Sequence, residues 1–191
     1  MSSALPQRRV VLVPLKNFSD AKSRLREVLS EHDVETLTQD LARTVLEAVK
    51  PYETMVVCDD DDVADFAIQC GAGVFRATAR SLNGAVSEAY VSLLEYDQAI
   101  IVHADLRDPQ GLGGYQPGPN ITLVTDHHGT GTNVLSLPTG LDFHFSYGKG
   151  SAERHRHEAQ RLGITCEVTV DSPWRFDVDE PDDLESSPDS I

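Results

Sequence analysis

The chain has 191 residues, 40% of them hydrophobic, and carries 16 basic against 31 acidic side chains for a formal net charge of −15. That length suits one domain with a buried core, and the acidic balance argues against nucleic acid or an anionic membrane surface, both polyanions that require a basic face. Cys58, Cys70 and Cys166 are odd in number, widely spaced and without a CxxC pair, which speaks against a disulfide framework or zinc site and fits a reducing compartment.

In chain order, "RVVLVPL" (9–15) is a β-branched apolar run without helical period and reads as a buried strand. Over 19–49, Leu37, Leu41, Val45 and Val49 recur every four residues, which predicts an amphipathic helix. "ETMVVC" (53–58) reads as a strand, and 59–71 as a helix opened by acidic residues and closed by Gly71. A helix over 82–96 precedes "QAIIVHADL" (98–106), a strand running into an acidic turn. A Gly/Pro-rich loop over 107–120 separates it from strands at 120–126 and 133–137. "SAERHRHEAQRLG" (151–163) reads as a helix with a serine N-cap and a glycine past its end, followed by a strand at 164–170. Strands alternating with helices predict a three-layer α/β/α fold around a mostly parallel mixed sheet. The core of this single domain is expected over 9–184, with residues 1–8 and 185–191 as flexible ends. No stretch has the length and apolarity of a signal peptide or membrane span, so the cytoplasm is the expected location.

Ligands of an open α/β sheet sit beyond the carboxyl ends of its strands. The first strand ends in "VPLKNFSDAKSRL", which holds Lys16, Lys22 and Arg24. Two of only four lysines at one strand end suggest a cradle for anionic groups, with a solvated helix start as the plainer alternative. Asp105 stands where an apolar run breaks and suits either a hard divalent cation or a turn. Asp177 and Asp179, two apart in "RFDVDEPDDL", point to one face of an extended segment and could share that cation. Asp179 also fits a helix cap before Pro181, which leaves Asp177 the stronger ligand candidate. "YGKGSAERH" offers exposed N–H groups and the Ser151 hydroxyl at a helix start, either an anion site or an ordinary cap. His127 and His128 point apart in an extended chain, and His155 and His157 face different sides of a helix, so neither pair suits a shared zinc. In "TDHHGTGTNVLSL" the Gly-Thr pairs are the informative part, a close-approach backbone with the Thr132 hydroxyl beside it.

Together, and in this order, "VPLKNFSDAKSRL", "SLNGAV", "ADL", "DHHGTGTNVL", "YGKGSAERH" and "FDVDEPDDL" resemble the 2-phospho-L-lactate guanylyltransferases of coenzyme F-420 biosynthesis, from about residue 10 to 184. The resemblance implies a nucleotidyltransferase fold, Rossmann-like and similar to the glycosyltransferase-A class. It implies that Lys16, Thr132, Gly148 and Ser151 hold a phosphorylated three-carbon acid, and that Asp105 and Asp177, with Asp179 close by, bind magnesium. It places Asn83 in the segment that approaches the guanine nucleotide and matches Lys22 and Arg24 to a basic nucleotide-binding element. Lys16, Asp105 and Asp177 would carry the catalysis. One departure follows Asp105: where relatives continue with proline, this chain has Arg107 and a short glycine-rich connection.

The implied reaction transfers GMP from GTP to 2-phospho-L-lactate or phosphoenolpyruvate and releases pyrophosphate. The alternatives are a related nucleotidyltransferase acting on 3-phosphoglycerate or molybdopterin, and a non-catalytic nucleotide-binding homologue. The partners expected are GTP and the small acid. The resemblance also leaves room for a homodimer and for hand-off to the next enzyme of the coenzyme pathway.

Overall fold

A computed structural model describes residues 7–185. The outer parts of the expected flexible ends, 1–6 and 186–191, lie outside the described residues. A seven-stranded sheet runs in the order β3-β2-β1-β4-β6-β5-β7. Its strands are β1 (Arg9–Pro14), β2 (Glu53–Cys58), β3 (Gly73–Arg76), β4 (Gln98–Val102), β5 (Ile121–Thr125), β6 (Thr132–Pro138) and β7 (Cys166–Thr169). Only β6 runs against the others, pairing antiparallel with both β4 and β5. The helices are α1 (Glu31–Ala48), α2 (Asp61–Gln69), α3 (Leu82–Val91), α4 (Ser151–Arg161) and the single turn α5 (Pro181–Glu185).

Alternation along the central strands builds two apolar faces. Val10 and Leu12 of β1 and Ala99 and Ile101 of β4 pack against α3 and α4 through Val86, Tyr90, Ala152 and Ala159. Val11, Val13, Ile100 and Val102 pack on the other face against α1 and α2 through Val45, Leu46, Phe66 and Ala67. Each such side chain stabilises the fold by roughly 1.5–3 kcal/mol. A small third cluster of Leu25, Val34 and Val178 draws the segment after β1 onto the C-terminal segment.

Four expectations need correction. The helix expected over 19–49 begins only at Glu31, where Ser30 accepts from the Asp33 N–H at 3.2 Å. Residues before it form two short 3-10 turns, Phe18–Asp20 and Leu25–Glu27, because Asn17 caps Ser19 and Leu25 turns into the third cluster. Strand β3 was not expected. It is four residues long, half exposed and at the sheet edge, too short for an alternation signal. Helix α3 ends at Val91 rather than 96, since Leu93 and Tyr96 turn back into the core. Finally, α4 is capped by Gly150 in the left-handed region, and Ser151 is the first helical residue with its side chain buried.

The Gly/Pro-rich connection 107–120 docks under the sheet. Leu112 is buried, Trp174 donates to the Gln110 carbonyl at 2.9 Å, and Tyr115 meets Trp174 edge to face at 5.0 Å. Gly113 presses so closely on the end of α1 that a Cβ there would lie 1.9 Å from the Lys50 carbonyl oxygen. Gly113→Ala should therefore cost about 1–3 kcal/mol, read by urea denaturation. Gly114→Ala, with no heavy atom within 4 Å of its would-be Cβ, should stay within about 0.5 kcal/mol.

Candidate active site

The sheet order reverses between β1 and β4, the switch point where open α/β sheets bind ligands. A cleft of about 490 Å³ opens there, beyond the carboxyl ends of β1, β2 and β4. Lys16 follows β1, Asp59 follows β2, Arg80 precedes α3, and His103 and Asp105 follow β4; Lys22 and Asp179 complete the polar lining. Among the described residues, the exposed side chains of Lys16 and Arg80 have no hydrogen-bond or ion-pair partner, so two cations are free to meet an anion.

The carboxylates are brought together by the backbone. Leu106 and Asp177 form an isolated antiparallel bridge, with Arg107 N–H donating to the Phe176 carbonyl at 2.8 Å and Val178 N–H to the Asp105 carbonyl at 3.1 Å. The first of these bonds is one that a proline at 107 could not make. The Arg107 guanidinium also donates to the Asp183 carbonyl and lies 3.9 Å from the Asp183 carboxylate. The fold thereby clips 176–183 onto the segment after β4.

Lys22 lies at the centre of this cluster. Its ammonium donates to Asp105 Oδ2 at 2.8 Å, Asp179 Oδ1 at 3.1 Å and the Val178 carbonyl at 2.5 Å, with a side chain only 5% exposed. Burial disfavours its charge, but Asp105 and Asp179 outweigh burial and hold its pKa above the ordinary lysine value. Burial likewise pushes Asp105 up, and Lys22 first and His103 next overcome it and hold the carboxyl below the usual range. Asp177 has no such partner. Burial, then the charges of Asp105 and Asp179, raise its pKa to about 6. His127 Nδ1 stands 3.9 Å from Asp177 Oδ1, itself buried without a hydrogen bond.

Asp105 Oδ1 is buried and has no hydrogen-bond partner, and Asp177 ionises against resistance. Those two observations fit a hard divalent cation of the magnesium kind, held by one or two carboxylates with water filling its remaining positions. No group of three or more His, Cys, Asp or Glu side chains is arranged to ligate a metal among the described residues. Asp179 instead pairs with Lys22. Nor is Asp179 the cap of α5: Asp183 Oδ2 receives the N–H groups of Asp179 and Glu180 at 2.9 and 2.8 Å.

The other expected site residues lie away from this lining. Thr132 and Ser151 are buried and spend their hydroxyls on each other at 3.1 Å, while Thr132 Oγ1 also meets His155 Nδ1 at 3.1 Å. Tyr147 separates them from the cleft, its ring centroid 4.9 Å from that of His155 and 5.3 Å from that of His103. Gly148, at φ +109°, is exposed and accepts the Ser151 N–H. Asn83 commits its amide to the Tyr147 backbone, accepting its N–H at 2.6 Å and donating to its carbonyl at 3.4 Å. Arg24 is exposed and paired with Glu180.

The rings of His127 and His128 do not point apart but lie 3.7 Å from each other. The segment is a tight turn rather than an extended chain, closed by Asp126 Oδ1 accepting the Thr130 N–H at 2.7 Å. Sequence reasoning missed Arg80 and His103. Ser81 caps α3 by accepting the Gly84 N–H at 3.1 Å, a signal that would have placed Arg80 at a helix start.

A family model described as "Guanylyl transferase CofC like" matches residues 9–186, nearly the whole described chain. The chain belongs to this family. It is a nucleotidyltransferase of the guanylyl-transferring kind. A phosphoenolpyruvate guanylyltransferase from Roseiflexus castenholzii is 30% identical to it, over 91% of this chain and 84% of the relative. A 3-phospho-D-glycerate guanylyltransferase from Colwellia psychrerythraea is 28% identical, over 93% and 90%. A 2-phospho-L-lactate guanylyltransferase from Methanothermobacter thermautotrophicus is 28% identical, over 91% and 81%. In fold, the guanylyltransferase resembles a Desulfovibrio desulfuricans protein described as a nucleotide-diphospho-sugar transferase. The TM-score is 0.73 at 14% identity, over 94% of this chain and 85% of that one. The expected α/β nucleotidyltransferase architecture with a mostly parallel mixed sheet is the one observed. No helix among the described residues is long and apolar enough to cross a membrane.

Asp177 gives the cluster a pH signature. Its folded-state pKa of about 6 lies above the ~3.9 of an unfolded aspartate, so its stabilising contribution is full below the lower value and is lost as pH rises through the upper one. Asp177→Asn should then be more stable than the parent chain at about pH 8, by on the order of 2 kcal/mol, in metal-free buffer. The difference should shrink towards zero at about pH 4. Urea midpoints across that range check it, and a gap that does not change with pH would contradict the assignment.

Proposed function

We propose that this guanylyltransferase transfers GMP from GTP to a phosphorylated three-carbon acid, 2-phospho-L-lactate or phosphoenolpyruvate, and releases pyrophosphate, as a step in building coenzyme F-420. The observation that carries this reading is the pairing, in one cleft, of two unpartnered cations, Lys16 and Arg80, with the Asp105 carboxylate, whose neighbouring residue Leu106 is bridged to Asp177 just behind the lining. Such a cleft suits two phosphate-bearing anions that must approach each other.

The acceptor's phosphate is its own nucleophile. With a second pKa near ~6 it is largely dianionic at neutral pH, so no side chain has to remove a proton. One of its oxygens attacks the α-phosphorus of GTP, the new P–O–P linkage forms, and the bond to the β-phosphate oxygen breaks to release pyrophosphate. Repulsion between the two anions and their alignment form most of the barrier, so positioning and charge neutralisation are the main tasks of the protein. Lys16 and Arg80 supply positive charge on the open side of the cleft. Asp105 and Asp177 are the residues that would hold magnesium, which when bound neutralises phosphate charge and fixes the phosphates' orientation.

A second reading, 3-phospho-D-glycerate as acceptor, is supported by the Colwellia relative, which is about as similar as those named for the other acids. The acids differ by a few atoms, so pyrophosphate release from GTP and magnesium should be measured with each in turn. One of the three should exceed the others by at least about tenfold in kcat/KM. Binding of GTP with no pyrophosphate from any acid would instead indicate a non-catalytic homologue.

With the preferred acid, Asp105→Asn and Asp177→Asn should each lower turnover by at least about a hundredfold while far-ultraviolet circular dichroism stays unchanged. Lys16→Ala should raise the KM of the acid about tenfold or more and that of GTP by less. Equal losses for both substrates would move Lys16 away from the acid.

A further inference from the structure

The three protons of the Lys22 ammonium are all committed, to Asp105 Oδ2, Asp179 Oδ1 and the Val178 carbonyl. In this arrangement the ammonium has no donor left for a phosphate, although it lines the cleft that would receive one. It also neutralises Asp105, whose other oxygen is buried and without a partner. A divalent cation arriving at Asp105 therefore meets a positive charge already on the same carboxylate, at a distance where like charges repel strongly in a partly buried site.

We infer that Lys22 and a divalent cation compete for Asp105, so that the ammonium keeps free metal weakly bound until a triphosphate offers it another partner. The inference rests on the assignment of Asp105 and Asp177 as cation ligands made above. It adds an order to the site. A metal without nucleotide has to draw Lys22 off Asp105 and leave its ammonium with the exposed Asp179 carboxylate and the Val178 carbonyl. A triphosphate supplies a further anion, so nucleotide and metal bind with positive coupling beyond their chelation of each other in solution. Lys22 sits at φ 50°, left-handed backbone that favours glycine, on a segment of short 3-10 turns rather than a long helix. Its hold on the carboxylates is therefore one that local rearrangement can release.

The experiment uses manganese alone as the probe, with the full chain and neither GTP nor acid, read by the loss of the free-ion paramagnetic resonance signal. Lys22→Met should bind manganese about tenfold or more tightly than the parent chain. Arg156→Ala, which removes an exposed charge paired with Glu153 on α4, should leave the affinity unchanged. A folded Lys22→Met variant that binds manganese no more tightly than the parent overturns the proposal. Adding Asp105→Asn to Lys22→Met separates the two readings. If it abolishes the gain, Asp105 is the ligand in dispute. If Lys22→Met gives no gain while Asp105→Asn alone weakens manganese binding, the metal assignment stands and the competition fails.

A measurement on the unmodified chain covers the case in which Lys22→Met does not fold. Acetylation by a small anhydride, read peptide by peptide, should be slow at Lys22 and fast at Lys16 without metal. It should accelerate at Lys22 as manganese is titrated in. An acetylation rate at Lys22 that manganese binding leaves unchanged would overturn displacement of the ammonium.

Discussion

Mutual repulsion among Asp105, Asp177 and Asp179 is the constraint around which the upper half of this molecule is arranged. Neighbouring carboxylates raise one another's pKa, and Asp177, pushed up first by burial, is raised further by the charges of Asp105 and Asp179. The fold opposes the repulsion in several independent ways. The Leu106–Asp177 bridge fixes the two backbones, the single charge of Lys22 is shared between Asp105 and Asp179, and Leu25, Val34 and Val178 bury an apolar contact beside them. The apolar contact stabilises in its own right, but the Lys22 pairs would not be worth building for stability alone, because a buried ion pair recovers little of what its desolvation costs. Their common product is a set of carboxylates at the carboxyl edge of β4, beside a cleft into which Lys16 and Arg80 bring unpartnered cations. A site for polyanionic substrates needs that juxtaposition.

Much of this was legible in the sequence because it depends on local pattern. The β-branched runs of β1 and β4 gave both strands, and Lys16 and Asp105 followed as the residues just past their ends. The order of several short motifs carried the family, and with it the fold. Side-chain direction was another matter. Thr132 and Ser151 suit a phosphate by residue type, yet each has a partner in the other, and Thr132 meets His155 as well, a contact spanning 23 residues that no local pattern encodes. Likewise the Asn83 amide looked available until the loop before α4 came to rest on it. The helix expected from residue 19 was misjudged because four-residue periodicity begins inside α1 and nothing upstream of Ser30 continues it. Arg80 escaped notice because β3, the strand that delivers it, is too short and too exposed to announce itself.

The relatives named for three different acids match this chain at similar identity over more than nine tenths of its length, so overall similarity does not separate the acids. Removing or adding one polar group on a three-carbon substrate changes binding by only a few kcal/mol unless a buried partner is left unpaired. His103 Nε2 and the Tyr147 hydroxyl are two such buried, unpartnered groups beside the site. The Tyr147 ring lies between His103 of the cleft and His155 of the Thr132–Ser151–His155 network, in contact with both.

Arg107 makes the integrity of the site conditional in a way that a proline would not. Proline stiffens its own backbone whatever surrounds it, whereas Arg107 acts through partners that include the Phe176 carbonyl and Asp183, the latter on a helix of a single turn near the end of the described chain. The segment that carries Asp177 is joined to the rest through such contacts rather than as a strand of the sheet, so a local opening there would cost less than global unfolding. In that opened state the seven-stranded sheet and the cations of the cleft would persist while the carboxylate pair came apart. Activity and foldedness would then be lost at different temperatures, and the first to go would be the one that a measurement of secondary structure does not detect.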